Sequence, residues 1–206
     1  MRTRKTAEER RTEIVETAVR LADELGPDRL TTEAIAKEVG LTQPGIFRHF
    51  PRKQEIWEAV AGWVGARLRE RWAAADRAAD TPEERLRALL HGQLDLIRTV
   101  PAIPAILFSR ELHAGNEALR NAFLRLLTEF RGVVAGHVRA GCRDGRFRPD
   151  LDPDDAASLV VALVQGLAVR WSLSGRRFDL AAEGDRLLTL LIEGLAARPD
   201  AMEASR

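Results

Sequence analysis

Between Thr32 and Phe47 the chain carries a small residue, Ala36, then Gly40 four residues on, then the apolar Ile46 six beyond that. Few backbones accept this spacing. Ala36 is small where one short helix would press on the next, and Gly40 supplies a left-handed turn that a side chain resists. Ile35, Val39 and Ile46 form an apolar wedge that locks two short helices against a third. The segment predicts two helices meeting at a tight corner, a helix-turn-helix. The second helix of such a corner enters a DNA major groove with its N-terminal residues at the base edges.

The rest of the chain also reads as helix. Ile14, Ala18, Leu21, Ala22 and Leu25 recur at helical spacing over 12–25, and Gly26-Pro27 ends that run. Thr31 or Thr32 caps a second helix that ends at Gly40. Thr42 caps a third that tolerates Pro44 in its first turn. Pro51 forces a break at Phe50. A fourth helix is expected from Arg52 to about Ala79, with Ile56, Val60, Val64 and Leu68 as its apolar stripe. Thr81-Pro82-Glu83-Glu84 and Asp152-Pro153-Asp154-Asp155 are sharp helix starts, each with a capping side chain, Pro at N1 and acids in the first turn. Pro101 and Pro104 interrupt the helix that Thr81 opens, and a short apolar helix through Leu112 follows. Further helices are read over 117–144, 153–173 and 180–197. No strand pattern and no internal repeat is visible. The expected fold is all-α, with about nine helices. A three-helix DNA-binding head, 1–52, precedes a larger helical bundle, 53–206.

With 45% hydrophobic and 31% charged residues the chain can bury a core. Its net charge of +1 does not advertise a nucleic-acid partner. Locally, Arg2, Arg4, Lys5, Arg10 and Arg11 outnumber Glu8 and Glu9, which reads as a basic arm on phosphates or as a frayed, solvated tail. One cysteine, Cys142, fits a reducing cytoplasm and builds neither an intrachain disulfide nor a metal cluster. No apolar run approaches the roughly eighteen residues of a membrane span, and the N-terminus lacks a signal peptide's apolar region. A cytoplasmic protein with no membrane partner is expected. No nucleophile elbow, glycine-rich phosphate loop or paired-carboxylate motif is present, so neither enzyme chemistry nor a cofactor is expected. His91, His113 and His137 lack ligand spacing, so no metal is expected either.

Thr42-Gln-Pro-Gly-Ile-Phe-Arg-His-Phe50, followed by Pro51-Arg52-Lys53-Gln-Glu-Ile56, resembles the TetR family of bacterial regulators. That signature runs from a small residue and an apolar residue through Tyr, any residue and His-Phe to a Lys opening the fourth helix. The resemblance is specific over residues 10–60. It implies a DNA-binding head on a divergent helical body that binds an effector and dimerises. Carried onto this chain, it places Thr42, Phe47, His49 and Lys53 at phosphates. Gln43, Pro44, Gly45 and Arg48 fall on the exposed face that reads bases or lies nearest them. Thr32, Arg4 and Lys5 complete the expected DNA set. Two departures stand out: Phe47 replaces the Tyr and loses a phosphate hydrogen bond, and Arg52 replaces a capping Ser and adds a cation.

The side-chain chemistry agrees. Gln43 has a donor and an acceptor for adenine N6/N7, and Arg48 suits guanine or a phosphate. Lys53 at a helix start opposes the dipole unless a phosphate lies near it. His49 is a phosphate contact or a partly buried structural histidine.

In the body, Leu159 to Val164 and Leu187 to Ile192 are apolar around much of their helices, so one face of each needs a partner. A four-helix bundle between two copies follows, formed by Leu159, Val160, Leu163, Leu167, Trp171, Leu187, Leu188, Leu191 and Leu195, with Gly166 and Gly194 allowing close approach. Such a homodimer reads a palindromic operator in double-stranded DNA. Leu94, Ile97, Phe108, Phe123, Leu127, Phe130 and His137 are the candidate lining of a pocket for an unidentified small-molecule effector, with plain core packing as the other reading of each. The expected function is a ligand-responsive regulator, a repressor released from its operator by that effector. The alternative is a DNA-bound structural protein of the same fold acting through a protein partner.

Overall fold

The structure, a computed structural model, describes residues 5–197. Among them are ten α-helices: α1 Ala7–Leu25, α2 Thr32–Val39, α3 Gln43–Phe47, α4 Lys53–Ala78, α5 Pro82–Thr99, α6 Ala102–Phe108, α7 Arg110–Gly115, α8 Glu117–Arg143, α9 Pro153–Leu173 and α10 Leu180–Leu195. A 3-10 turn, Pro27–Arg29, follows α1, and Phe147 and Ala196 form an isolated bridge outside any strand.

Local chemistry sets these bounds. Thr31, Thr42 and Asp152 each accept a backbone N–H in the first turn they open: Ala34 N at 3.1 Å, Gly45 N at 3.2 Å and Asp154 N at 2.8 Å. Thr81 and Glu84 exchange bonds at 3.3 and 3.1 Å, the capping box the sequence predicts for α5. Gly40 closes α2 with φ 67° and ψ 39°, the left-handed conformation its position requires.

Two boundaries differ from expectation. α1 starts earlier, because Thr6 and Glu9 form a further capping box, with Thr6 N donating to Glu9 Oε2 at 2.7 Å. Those bonds from Thr6 hold the Glu9 carboxyl below its usual range. The short apolar helix through Leu112 is two helices. Ser109 is extended, with φ −69° and ψ 111°, and its hydroxyl accepts from Leu112 N at 3.0 Å to open α7.

The chain forms two compact units, and neither is a single stretch. The first joins Met1–Arg67 to Thr99–Arg125; the second joins Leu68–Arg98 to Leu126–Arg206. This grouping differs from the seam expected at 52/53: the first half of α4, all of α6 and α7, and the start of α8 pack in the same unit as α1 to α3. Within that unit Ile14, Ala18, Ile35, Ile46, Phe50 and Val60 are buried together with Leu119. Polar ties complete it. The Ser109 hydroxyl donates to the Asp28 carboxylate, and buried Asn116 donates to the Gln54 carbonyl at 3.1 Å while accepting from Leu119 N at 2.9 Å. The second unit buries Leu86, Leu89, Leu90, Leu94, Val134, Val138, Ala157 and Leu188.

α9 meets the length and composition of a membrane span, so the expectation that no run approaches one is corrected. In this structure 39% of that apolar window is buried inside the chain. Its apolarity serves two faces: one packs on α10, and the other is open.

Candidate nucleic-acid interface

The head assembles as the corner predicts. Ala36 and Val39 of α2 and Ile46 of α3 are buried, and α2 packs on both α1 and α3. The short α3 then presents Pro44 and Phe47 to solvent, with Arg48 exposed just after it, and Phe47 stays 38% exposed. An exposed ring beside a buried Ile46 fits the position that the resemblance gives Phe47.

Gln43 is held before any DNA arrives. Its Nε2 donates to Thr32 Oγ1 at 3.1 Å and to Glu33 Oε1, and the Thr32 hydroxyl donates on to Glu33 Oε2 at 3.4 Å. Thr32 is only 6% exposed. Its hydroxyl, placed in the expected DNA set, is engaged inside the protein by Gln43 and Glu33. Gly45 is corrected. It is buried rather than exposed, and a Cβ there would sit 3.4 Å from Leu41 Cβ and from Thr42 Oγ1.

The cations divide into two groups. Lys5 pairs with Glu13 at 2.7 Å, a carboxylate that Arg10 also reaches at 2.6 Å, and Arg52 pairs with Glu55 at 2.9 Å. Lys5 is thus turned onto α1 in the free protein. Arg4 lies outside the described residues. Arg48 and Lys53 have no carboxylate partner among the described residues, which leaves their charge for phosphate. His49 is half-buried, and its carbonyl accepts from Arg11. The Arg11 guanidinium also lies 4.0 Å over the Phe50 ring. Arg11 therefore fixes the turn between α3 and α4. Sequence reading assigned it to the basic arm and missed this role, because the contact spans the whole head.

The residues expected around an effector fall in both units. In the second, Leu94 and Ile97 are buried, Leu127 is half-buried, and Phe130 stacks on Trp72 with centroids 5.6 Å apart. In the first, Phe123 is buried edge-on to His113 at 5.9 Å, and Phe108 is exposed. His137 is buried with Nε2 3.0 Å from Asp76 Oδ1. Burial pushes its imidazole below the usual 6.5, Asp76 opposes that shift, and Arg85 adds to it. A folded-state value below the unfolded one contributes stability above about pH 6.5 that is lost as pH falls through the folded value. The melting temperature is expected to drop between about pH 7.5 and about pH 5.5, and His137→Gln should flatten part of that drop. Thermal melts of both proteins at the two pH values check this. An equal drop in the variant would remove His137 from the acid response.

On α9 and α10 the residues expected at a partner face divide by burial. Val160, Leu167, Trp171, Leu188 and Leu195 are buried within this chain's own core, so they are corrected as interface residues. The open stripe is formed by Leu159, Leu173 and Leu190, at 59%, 84% and 61% exposed, with half-buried Leu163, Leu187 and Leu191 beside them. Leu173 and Leu190 were missed. Gly166 and Gly194 have open space where a Cβ would stand.

Comparisons with known proteins agree with this anatomy. Residues 14–60 match the model for bacterial regulatory proteins of the tetR family, and residues 82–198 match the C-terminal domain of BetI-type transcriptional repressors. A putative transcriptional regulator from Saccharomonospora viridis, solved in complex with choline, is 27% identical, with a TM-score of 0.82 over 93% of this chain and 100% of that one. The regulator FadR from Bacillus subtilis, solved with stearoyl-CoA, superposes with a TM-score of 0.78 at 20% identity, over 89% of this chain and 98% of that one. The nucleoid occlusion factor SlmA of Haemophilus influenzae is 28% identical over 181 residues, which span 85% of this chain and 81% of that protein. With its corner of α2 and α3, its BetI-type body and its match along most of its length, this chain belongs to the TetR family of DNA-binding transcriptional regulators.

Proposed function

We propose that the protein is a cytoplasmic homodimer that represses transcription from a palindromic operator and is released by a small molecule. The observation that carries this reading is one chain holding both a complete helix-turn-helix, whose Arg48 and Lys53 have no carboxylate partner among the described residues, and an open apolar stripe on α9 and α10. Two such heads meet successive major grooves about 34–36 Å apart, or a multiple of that. The role is regulatory and not catalytic. The effector shifts DNA affinity only by its differential affinity for two arrangements of the protein, and a coupling of about 1–3 kcal/mol gives roughly 5- to 150-fold release. The neighbours hold choline and stearoyl-CoA, so these two compounds are the first probes.

The test is selection of genomic fragments by the purified protein, followed by titration of the enriched site with each probe. No fragment enriched above bulk DNA would sink the reading. The similarity to SlmA supports a second reading, a protein that sits at many sites and acts through a protein partner. Genome-wide occupancy separates the two: one or a few promoters for the regulator, dispersed sites for the other.

Lys53 gives a direct check of the DNA face. Lys53→Ala should weaken binding to all sequences alike and make the salt slope shallower by about one unit per protomer, about two for a dimer on its operator. Titrations at several salt concentrations measure this, and an unchanged slope means that Lys53 touches no phosphate.

A further inference from the structure

A glutamine amide has two N–H donors and one carbonyl acceptor. In Gln43 both donors are committed, one to Thr32 Oγ1 at 3.1 Å and one to the Glu33 carboxylate. Only Oε1 remains to meet a base. The bidentate pairing of glutamine with adenine, which needs a donor at N7 and an acceptor at N6, is therefore closed to Gln43 as it stands. In the major groove guanine offers only acceptors, and thymine offers an acceptor and a methyl group. Adenine N6 and cytosine N4 are the amino donors.

Glu33 itself calls for an account. It is exposed, in the first turn of α2, and pairs with no cation among the described residues. The helix dipole favours a carboxylate there but does not explain why this one reaches across to α3. Next to a polyanion an unpaired carboxylate is unfavourable unless it performs a task. Binding the amide protons of Gln43 is such a task, and Thr32, buried between the two, receives one proton and donates its own.

We propose that Glu33 is a positioning residue for DNA specificity: with Thr32 it holds both amide protons of Gln43, so that Gln43 Oε1 selects a base bearing an amino group, adenine or cytosine, at one position of each half-site. This rests on Gln43 facing a base in the bound complex. Thymine and guanine are rejected because their acceptors would meet the Gln43 oxygen. Adenine and cytosine are accepted nearly alike, because the contact that distinguishes them needs the donor Glu33 has taken.

The experiment is selection from random palindromic DNA by the full-length protein and by Glu33→Ala, Glu33→Gln and Gln43→Ala. The wild type should favour adenine and cytosine together over guanine and thymine, by roughly tenfold, at one position per half-site. Glu33→Ala frees an amide proton and should narrow that position to adenine, again by on the order of tenfold over cytosine. Glu33→Gln keeps an acceptor oxygen and should restore the wild-type preference. If Glu33→Ala only raises affinity for all sequences, with the adenine-to-cytosine ratio unchanged while Gln43→Ala alters it, Glu33 acts as bulk charge and the proposal is overturned. If Gln43→Ala also leaves the preferred site unchanged, the base reading by Gln43 fails, and the proposal fails with it.

Discussion

Leu159→Asp combined with Leu190→Asp is expected to give a folded monomer that has lost specific operator binding. Both side chains are largely exposed in the single chain, so the substitutions leave its own core intact. In a symmetric pair each change occurs twice at one isologous surface. Four carboxylates would then enter an apolar contact, at several kcal/mol for each unpaired buried charge. No ordinary dimer contact survives that. Loss of the second head removes the tethering that makes its binding intramolecular, and apparent affinity for a palindrome should fall by about 10²- to 10⁴-fold. Sedimentation reads the mass, circular dichroism the helix content, and fluorescence anisotropy the DNA affinity. A variant that stays dimeric with wild-type DNA affinity would show that the copies meet elsewhere.

The second large effect is a contrast within one helix. Gly132, Gly136 and Gly141 all lie in α8. Replacing Gly by Ala at a compatible helical site stabilises by roughly 0.4–1 kcal/mol through the unfolded chain. Around Gly132 and Gly136 nothing lies within 4 Å of an added Cβ, so Ala there should raise the melting temperature. At Gly141 the same Cβ would stand 2.2 Å from Phe147 Cδ2 and 2.4 Å from Cε2. The ring cannot swing away freely. Phe147 is 1% exposed, its N–H donates to the Gly141 carbonyl at 3.1 Å, and Arg148 N–H next to it donates to the Leu195 carbonyl at 3.0 Å. Overpacking costs about 1–3 kcal/mol and outweighs a helix-propensity gain of at most about 1 kcal/mol. Gly141→Ala should lower the melting temperature by roughly 2–8 °C. Calorimetry on the three single variants tests the opposite signs. A Gly141→Ala protein as stable as Gly136→Ala would mean that Phe147 has room the packing does not show.

Most of the secondary structure was legible because it is written locally. Thr31, Thr42, Thr81 and Asp152 cap the helices they were expected to open, and a cap depends on residues two or three positions away. The start of α1 was hidden because Thr6 and Glu9 sit among basic residues whose charge dominated the reading. The make-up of the head was not legible at all. It depends on Ser109 reaching Asp28 and Asn116 reaching Gln54, contacts separated by 81 and 62 positions. At the DNA face, residue types and spacing located Gln43 but could not show that Thr32 and Glu33 already hold its amide. On α9 and α10, periodicity identified two apolar helices without saying which side each turns inward. Val160 and Leu167 were therefore assigned to a partner although their own chain buries them, and Leu173 was overlooked.

The discontinuous head has a consequence for the order of events during synthesis. Residues up to Arg67 cannot complete it until Thr99–Arg125 has been made. At about 5–20 residues per second, the stretch from Leu68 to Arg125 takes roughly 3–12 s to translate. Throughout that interval α1 to α3 have been made without α7 or the Asn116 contact at the foot of α4. A nascent chain therefore completes its first unit only after Leu68–Arg98, the first stretch of the second unit, has itself been translated.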